Sequence, residues 1–127
     1  MNVGAVVFAK NVNVLSEFYE KLLGLSVVLK ESDKCVLESN SLTLTVHGIP
    51  LHIAENIEIS VPPEIRENTA VKMCFPVVSI IEARTLASSK GGCVYTKANE
   101  WENNKFIACD GYDPEGNVFQ VCENKQA

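Results

Sequence analysis

Three short stretches carry polar, chemistry-bearing side chains at every second residue. In Leu42-Thr43-Leu44-Thr45-Val46-His47, an extended chain turns Thr43, Thr45 and His47 to one face and Leu42, Leu44 and Val46 to the other. Lys72 and Cys74 alternate in the same way with Met73, Phe75 and Val77, and Val118, Gln120 and Cys122 alternate with Phe119 and Val121. A histidine at a strand end can act as a general base if a proton-bearing substrate reaches it and its pKa is tuned; otherwise it is a hydrogen-bonding rim residue. The Lys72 ammonium can hold a carboxylate or phosphate, pair with an internal acid, or snorkel to solvent. Cys74 is a nucleophile by type, but no histidine is set beside it to activate it.

Trp101 and Tyr112 bracket a hairpin whose turn is expected at Asn103-Asn104. Large aromatics there either close one end of a cleft over a flat ligand or pack along a sheet edge. Asp110-Gly111 reads as a backbone kink, with Asp110 bonding locally rather than acting on a substrate. His52 falls in a linker, where a solvated or loop-packing role is expected.

The elements that must position these side chains repeat along the chain. A strand is predicted over 3–9, then a helix over about 13–23 with Val14, Leu15, Phe18, Tyr19 and Leu22 at helical spacing. Asn13 is its expected N-cap, and Gly24 its stop. Strands at 26–29, 35–38 and 42–47 follow. The same grammar restarts with a strand at 71–77 and a helix at 79–90, opened by the capping box Ser79-Ile80-Ile81-Glu82 and ended by Gly91-Gly92. Strands at about 93–96, 105–109 and 117–122 complete it. A single shift of 67 residues lays Phe8 on Phe75 and Gly24 on Gly91. The expected fold is therefore α+β: two βαβββ modules, about 1–47 and 71–127, joined by a linker over 48–70 within one domain. Each module is too small to bury both faces of its own sheet, so the two are expected to pair.

With 127 residues, 46% of them hydrophobic and 21% charged, the chain has the length and composition of one compact domain. A net charge of -5 argues against nucleic acid or an anionic membrane as partner, since both call for a basic field. No stretch approaches the roughly 20 apolar residues of a membrane span, and the start of the chain lacks the basic region of a signal peptide. The five cysteines are odd in number, scattered, and without a CxxC pair. That is neither a disulfide framework nor a zinc spacing, and the expectation is reduced thiols in a cytoplasmic protein.

Two segments carry a family resemblance. Phe18-Tyr19-Glu20-Lys21-Leu22-Leu23-Gly24-Leu25 is similar to the FY-x-x-x-LGL helix end of vicinal-oxygen-chelate proteins, the glyoxalase, bleomycin-resistance and extradiol-dioxygenase superfamily. Asp113-Pro114-Glu115-Gly116-Asn117-Val118-Phe119-Gln120 resembles their DP-x-GN-x-(F/I)-E hairpin. A linker with Pro62-Pro63 and a Cys-Asp-Gly-x-DPEGNVFQ ending further resemble a bacterial subgroup. The resemblance implies curved mixed sheets with helices on the convex faces, a concave cleft, a divalent metal held by the first, fourth, fifth and last strands, and frequent homodimers. The DPEGN segment is also a turn in its own right, with Asp, Pro and Gly where a type I turn favours them.

Carried over one by one, the family's metal positions fall on Ala5, Thr43, Lys72 and Gln120. Ala5 has no donor, and a protonated lysine has no lone pair for a metal. Thr43 and Gln120 are weak neutral ligands for a divalent cation. No metal or other cofactor is therefore expected, and the implied cleft is polar but hardly charged. The leading expectation is a small-molecule-binding protein using Thr43, Thr45, His47, Lys72, Trp101, Tyr112 and Gln120, with a homodimer as the expected assembly. The alternative is a lyase, isomerase or dioxygenase-type enzyme with a non-standard site, for which His47 is the weak catalytic candidate. A third reading is a structural or regulatory dimerisation module with a vestigial cleft.

Overall fold

The computed structural model describes residues 1–125; the last two residues of the expected second module lie outside the described residues. The chain divides into two compact units, one ending at Ser60 and the other beginning at Val61.

In the first unit, β1 (Val3–Ala9) leads into α1 (Val12–Leu23), followed by β2 (Ser26–Lys30), β3 (Lys34–Glu38) and β4 (Leu42–Gly48). Asn11, not Asn13, caps the helix: its Oδ1 accepts the Val14 N–H at 3.1 Å, the three-residue reach of an N-cap. Asn13 stands two residues too late, as the second helical residue, and its carbonyl accepts the Ser16 hydroxyl instead. Gly24 ends the helix at φ 63°, where its N–H returns to the Glu20 carbonyl as a left-handed cap requires. The sheet order is β1-β4-β3-β2, with β1 parallel to β4 and the remaining pairs antiparallel. One helix stripe, Leu15, Phe18, Tyr19 and Leu22, is buried, as are Leu37, Leu44 and Val46 of the strands it covers. Each such large apolar side chain contributes about 1.5–3 kcal/mol relative to exposure. A short helix, α2 (Leu51–Ala54), follows within the expected linker.

The second unit repeats the plan with β5 (Met73–Pro76), α3 (Ile80–Ser89), β6 (Cys93–Val94), β7 (Trp101–Glu102), β8 (Phe106–Tyr112) and β9 (Val118–Asn124). Its sheet order is β5-β9-β8-β6, with β5 parallel to β9 and β7 added along β8. Ser79 Oγ accepts the Glu82 N–H at 3.1 Å to open α3, while the Glu123 carboxylate from β9 takes the Ile80 N–H at 2.7 Å. Ile80, Ala83 and Ala87 of α3 are nearly or wholly buried, as are Phe119 and Val121 of β9 and Cys109 of β8. The hairpin between β7 and β8 turns where expected, with Asn103 Oδ1 accepting the N–H groups of Lys105 (2.8 Å) and Phe106 (2.9 Å).

The DPEGN turn is tied from inside. Asp113 is fully buried, and its Oδ1 accepts the N–H groups of Glu115 (2.9 Å) and Asn117 (3.0 Å) while Oδ2 accepts from Asn117 Nδ2 (2.9 Å). Gly116 sits at φ 87°, and a Cβ there would collide with the Glu64 carbonyl. The segment 64–66 lies against the turn, with Arg66 N bonded to the Gly116 carbonyl at 2.9 Å.

Candidate functional site

Alternation on β5, β8 and β9 decides what the second unit's uncovered sheet face presents. Cys74 is in register with Gln120, and Gln120 with Asp110. Lys72, one residue before β5, joins this row: its Nζ donates to Asp110 Oδ2 at 2.9 Å. Gln120 Nε2 donates to Asp110 Oδ1 at 3.2 Å, so both carboxylate oxygens are engaged. The amide oxygen of Gln120 in turn accepts from Cys74 Sγ at 3.3 Å. Cys122, two residues along β9, brings its Sγ to 2.7 Å from that of Cys74 and 3.7 Å from Gln120 Oε1. A continuous polar row thus runs Lys72, Asp110, Gln120, Cys74, Cys122.

Charge in this row is balanced locally. The Lys72 and Asp110 side chains are 45% and 40% exposed, which leaves the pair open to solvent. The Cys122 thiol is pushed up to about 12, first by burial and then by its neighbour Cys74. Aromatic side chains flank the row. Trp101 stands opposite Ala108 and packs edge-on against Phe106 at 5.6 Å between ring centroids; it keeps 48% of its surface exposed. Tyr112 meets Tyr95 at 6.0 Å, and burial, helped by Cys93, pushes its phenol up.

On the first unit, Thr43, Thr45 and His47 share the face opposite to buried Leu44 and Val46. The Thr43 hydroxyl donates to Glu38 Oε2 at 3.2 Å and accepts from Asn2 Nδ2 at 3.4 Å. His47 Nδ1 lies 2.9 Å from the Gly48 carbonyl. That contact requires the proton on Nδ1, which leaves Nε2 as the lone-pair nitrogen of the neutral ring. His47 also borders a groove of about 600 Å³ at the end of β4, with Lys10, Asn11, Asp33, Pro50 and Leu51. Thr43 and Thr45 do not line this groove.

Two expectations are corrected by register. Ala5 pairs with Leu44 and so lies on the helix-covered face; the residues beside Thr43, Thr45 and His47 are Gly4, Val6 and Phe8. The stretch Val-Gly-Ala-Val-Val-Phe-Ala is apolar on both faces, so alternation alone could not assign them. Asp110 is no local kink: β8 runs on through Tyr112, which turns the Asp110 carboxylate onto the uncovered face between Lys72 and Gln120. Reading the alternation of Ala108, Asp110 and Tyr112 through Gly111 would have found it. Arg84 also went unremarked in the sequence. It is ion-paired with Glu100, donates from Nε to the Tyr95 carbonyl at 2.6 Å, and approaches Cys109 Sγ at 3.8 Å. It ties α3 to the segment that leads into β7, and the Glu100 carboxylate raises its pKa first among the causes.

The donor set does not suit a divalent metal. Of the carried-over positions on the second unit, Lys72 brings a cation and Gln120 an amide already bonded to Asp110. On the first unit, Thr43 brings a hydroxyl, and Gly4, Val6 and Phe8 bring no donor at all. Among the described residues, no three His, Cys, Asp or Glu side chains come together as a ligand group.

No protein-family model matches the chain, and no curated protein matches it in sequence. Solved structures do match its fold. A glyoxalase/bleomycin resistance protein from Albidiferax ferrireducens T118 is similar with a TM-score of 0.69 at 16% identity, over 96% of this chain and 97% of that one. A genomically encoded fosfomycin resistance protein, FosX, from Listeria monocytogenes gives 0.67 at 12% identity, over 97% and 92%. The bleomycin resistance determinant encoded on the transposon Tn5 gives 0.58 at 14% identity, over 99% of each chain. At these identities the likeness shows the fold alone: the chain has the fold of these glyoxalase/bleomycin resistance structures.

Proposed function

We propose that this chain, built on the glyoxalase/bleomycin-resistance fold, binds a small organic molecule without the metal of that fold's enzymes. The observation that carries the reading is the Lys72–Asp110–Gln120 row; Lys72 and Gln120 are the residues onto which the resemblance carries a metal-binding histidine and carboxylate. A ligand carboxylate or phosphate can take the solvent-facing protons of Lys72, while Asp110 keeps the ammonium in place. Trp101 offers an exposed aromatic face, and Tyr112 and Gln120 supply further contacts. Thr43, Thr45 and His47 offer polar side chains on the first unit's own sheet. Structures with this fold are described as bleomycin or fosfomycin resistance proteins, which makes polar antibiotics the first compounds to try. A homodimer and a cytoplasmic location complete the reading; no helix of the described residues is long and apolar enough to cross a membrane.

The test is a thermal-shift screen over anionic metabolites and antibiotics, repeated on Lys72→Ala. A ligand that stabilises the wild type and loses that effect in the variant supports the proposal. A panel in which no stabilisation depends on Lys72 removes it.

A second reading, an enzyme with a non-standard site, draws on His47, whose free Nε2 and neighbouring groove would suit a general base. Turnover that survives His47→Ala would reject that assignment.

A further inference from the structure

The row ends in two thiols that the binding proposal does not use. Cys74 Sγ and Cys122 Sγ lie 2.7 Å apart, against about 2.05 Å for a disulfide bond. Their strands are adjacent and parallel, and the Val77 N–H bonds the Cys122 carbonyl at 2.8 Å, so the backbone holds the two side chains together. Cys74 is exposed and Cys122 half-buried, whereas Cys35 and Cys109 are buried. A small reagent can therefore reach one partner of the pair. We propose that Cys74 and Cys122 form a reversible dithiol–disulfide site that reacts with low-molecular-weight disulfides of the glutathione type.

Atoms and electrons balance in two exchanges. The Cys74 thiolate attacks one sulfur of the disulfide, forming a mixed disulfide and releasing one small thiolate. The Cys122 sulfur then attacks the Cys74 sulfur, gives up its proton to solvent or to the departing thiolate, and displaces the second small thiol. The protein loses two hydrogens and is oxidised by two electrons, and the reagent is reduced to two thiols. Cys74 is level with Gln120, so Cys122 is its diagonal neighbour on the adjacent strand, and small thiols reopen the bond by the same exchange run in reverse. A cation bridge is the weaker alternative, because no third His, Cys, Asp or Glu joins the pair among the described residues.

The experiment treats the reduced chain with oxidised glutathione, blocks remaining thiols, and maps peptides by mass spectrometry. The expected result is a Cys74–Cys122 link, reversed by reduced glutathione, with Cys122→Ser stopping at a stable glutathione adduct on Cys74. Wild-type protein that stops at the adduct, links a different cysteine, or stays fully reduced overturns the proposal. So does stoichiometric zinc that Cys74→Ser releases.

Discussion

Lys72 and Asp110, 38 residues apart in sequence, meet at 2.9 Å across the uncovered face of the second sheet, and Gln120 closes the carboxylate's other side. A positive charge, a carboxylate and an amide therefore meet in one row, and both carboxylate oxygens are engaged by the other two. The consequences below can each be measured.

Lys72→Ala should change stability little, by no more than about 1 kcal/mol, because the pair is solvent-screened. Ligand-induced stabilisation should nevertheless disappear. Urea melts with and without a screening hit separate the two effects, and a large loss of intrinsic stability would mean that the pair is structural.

Gly116→Ala should cost at least about 2 kcal/mol, since it adds both positive-φ strain and a collision with the Glu64 carbonyl. Asp113→Ala should be of similar size, because it strips a buried turn of three N–H acceptor contacts. Denaturant midpoints of both variants check this; near-wild-type values would show that the turn relaxes freely.

Alkaline pH should destabilise the fold through Cys122. Its folded pKa, about 12, lies above the unfolded value, so the folded state holds the proton longer. The contribution is fully present below about pH 8.5 and is lost as pH rises from there towards 12. Tyr95, Tyr112 and Cys109, also raised by burial, act in the same direction. Urea midpoints between neutral pH and pH 10 should fall, and fall less steeply in Cys122→Ser; parallel slopes would show that Cys122 plays no part.

Protein purified without a metal-binding tag should carry no stoichiometric zinc, nickel, iron or manganese by elemental mass spectrometry. Chelation should leave its melting temperature unchanged. Stoichiometric metal, or a fall in melting temperature with chelator, would restore the metalloenzyme class.

Much of this architecture is legible in the chain itself. Gly24 as a left-handed cap, Ser79 as an N-cap and the turn at Asn103 are each decided within about four residues, so their signals are local. The faces of Thr43, Thr45 and His47 follow from period-two alternation, because buried Leu44 and Val46 leave the strand one orientation. The 67-residue offset carries the duplicated plan in the chain itself.

The order of elements, their caps and turns, and the face of each strand with a clear apolar side are thus written locally in the chain. Which distant residues become neighbours is not: Asp110 meets Lys72, Cys74 meets Cys122, and Ala5 lies on the covered face rather than beside Thr43 only once the sheets have formed. Caps and turns are satisfied by bonds a few residues long. Cross-strand register between residues 38 to 48 apart is set by the packing of a whole sheet against its helix, which no short window of the chain encodes.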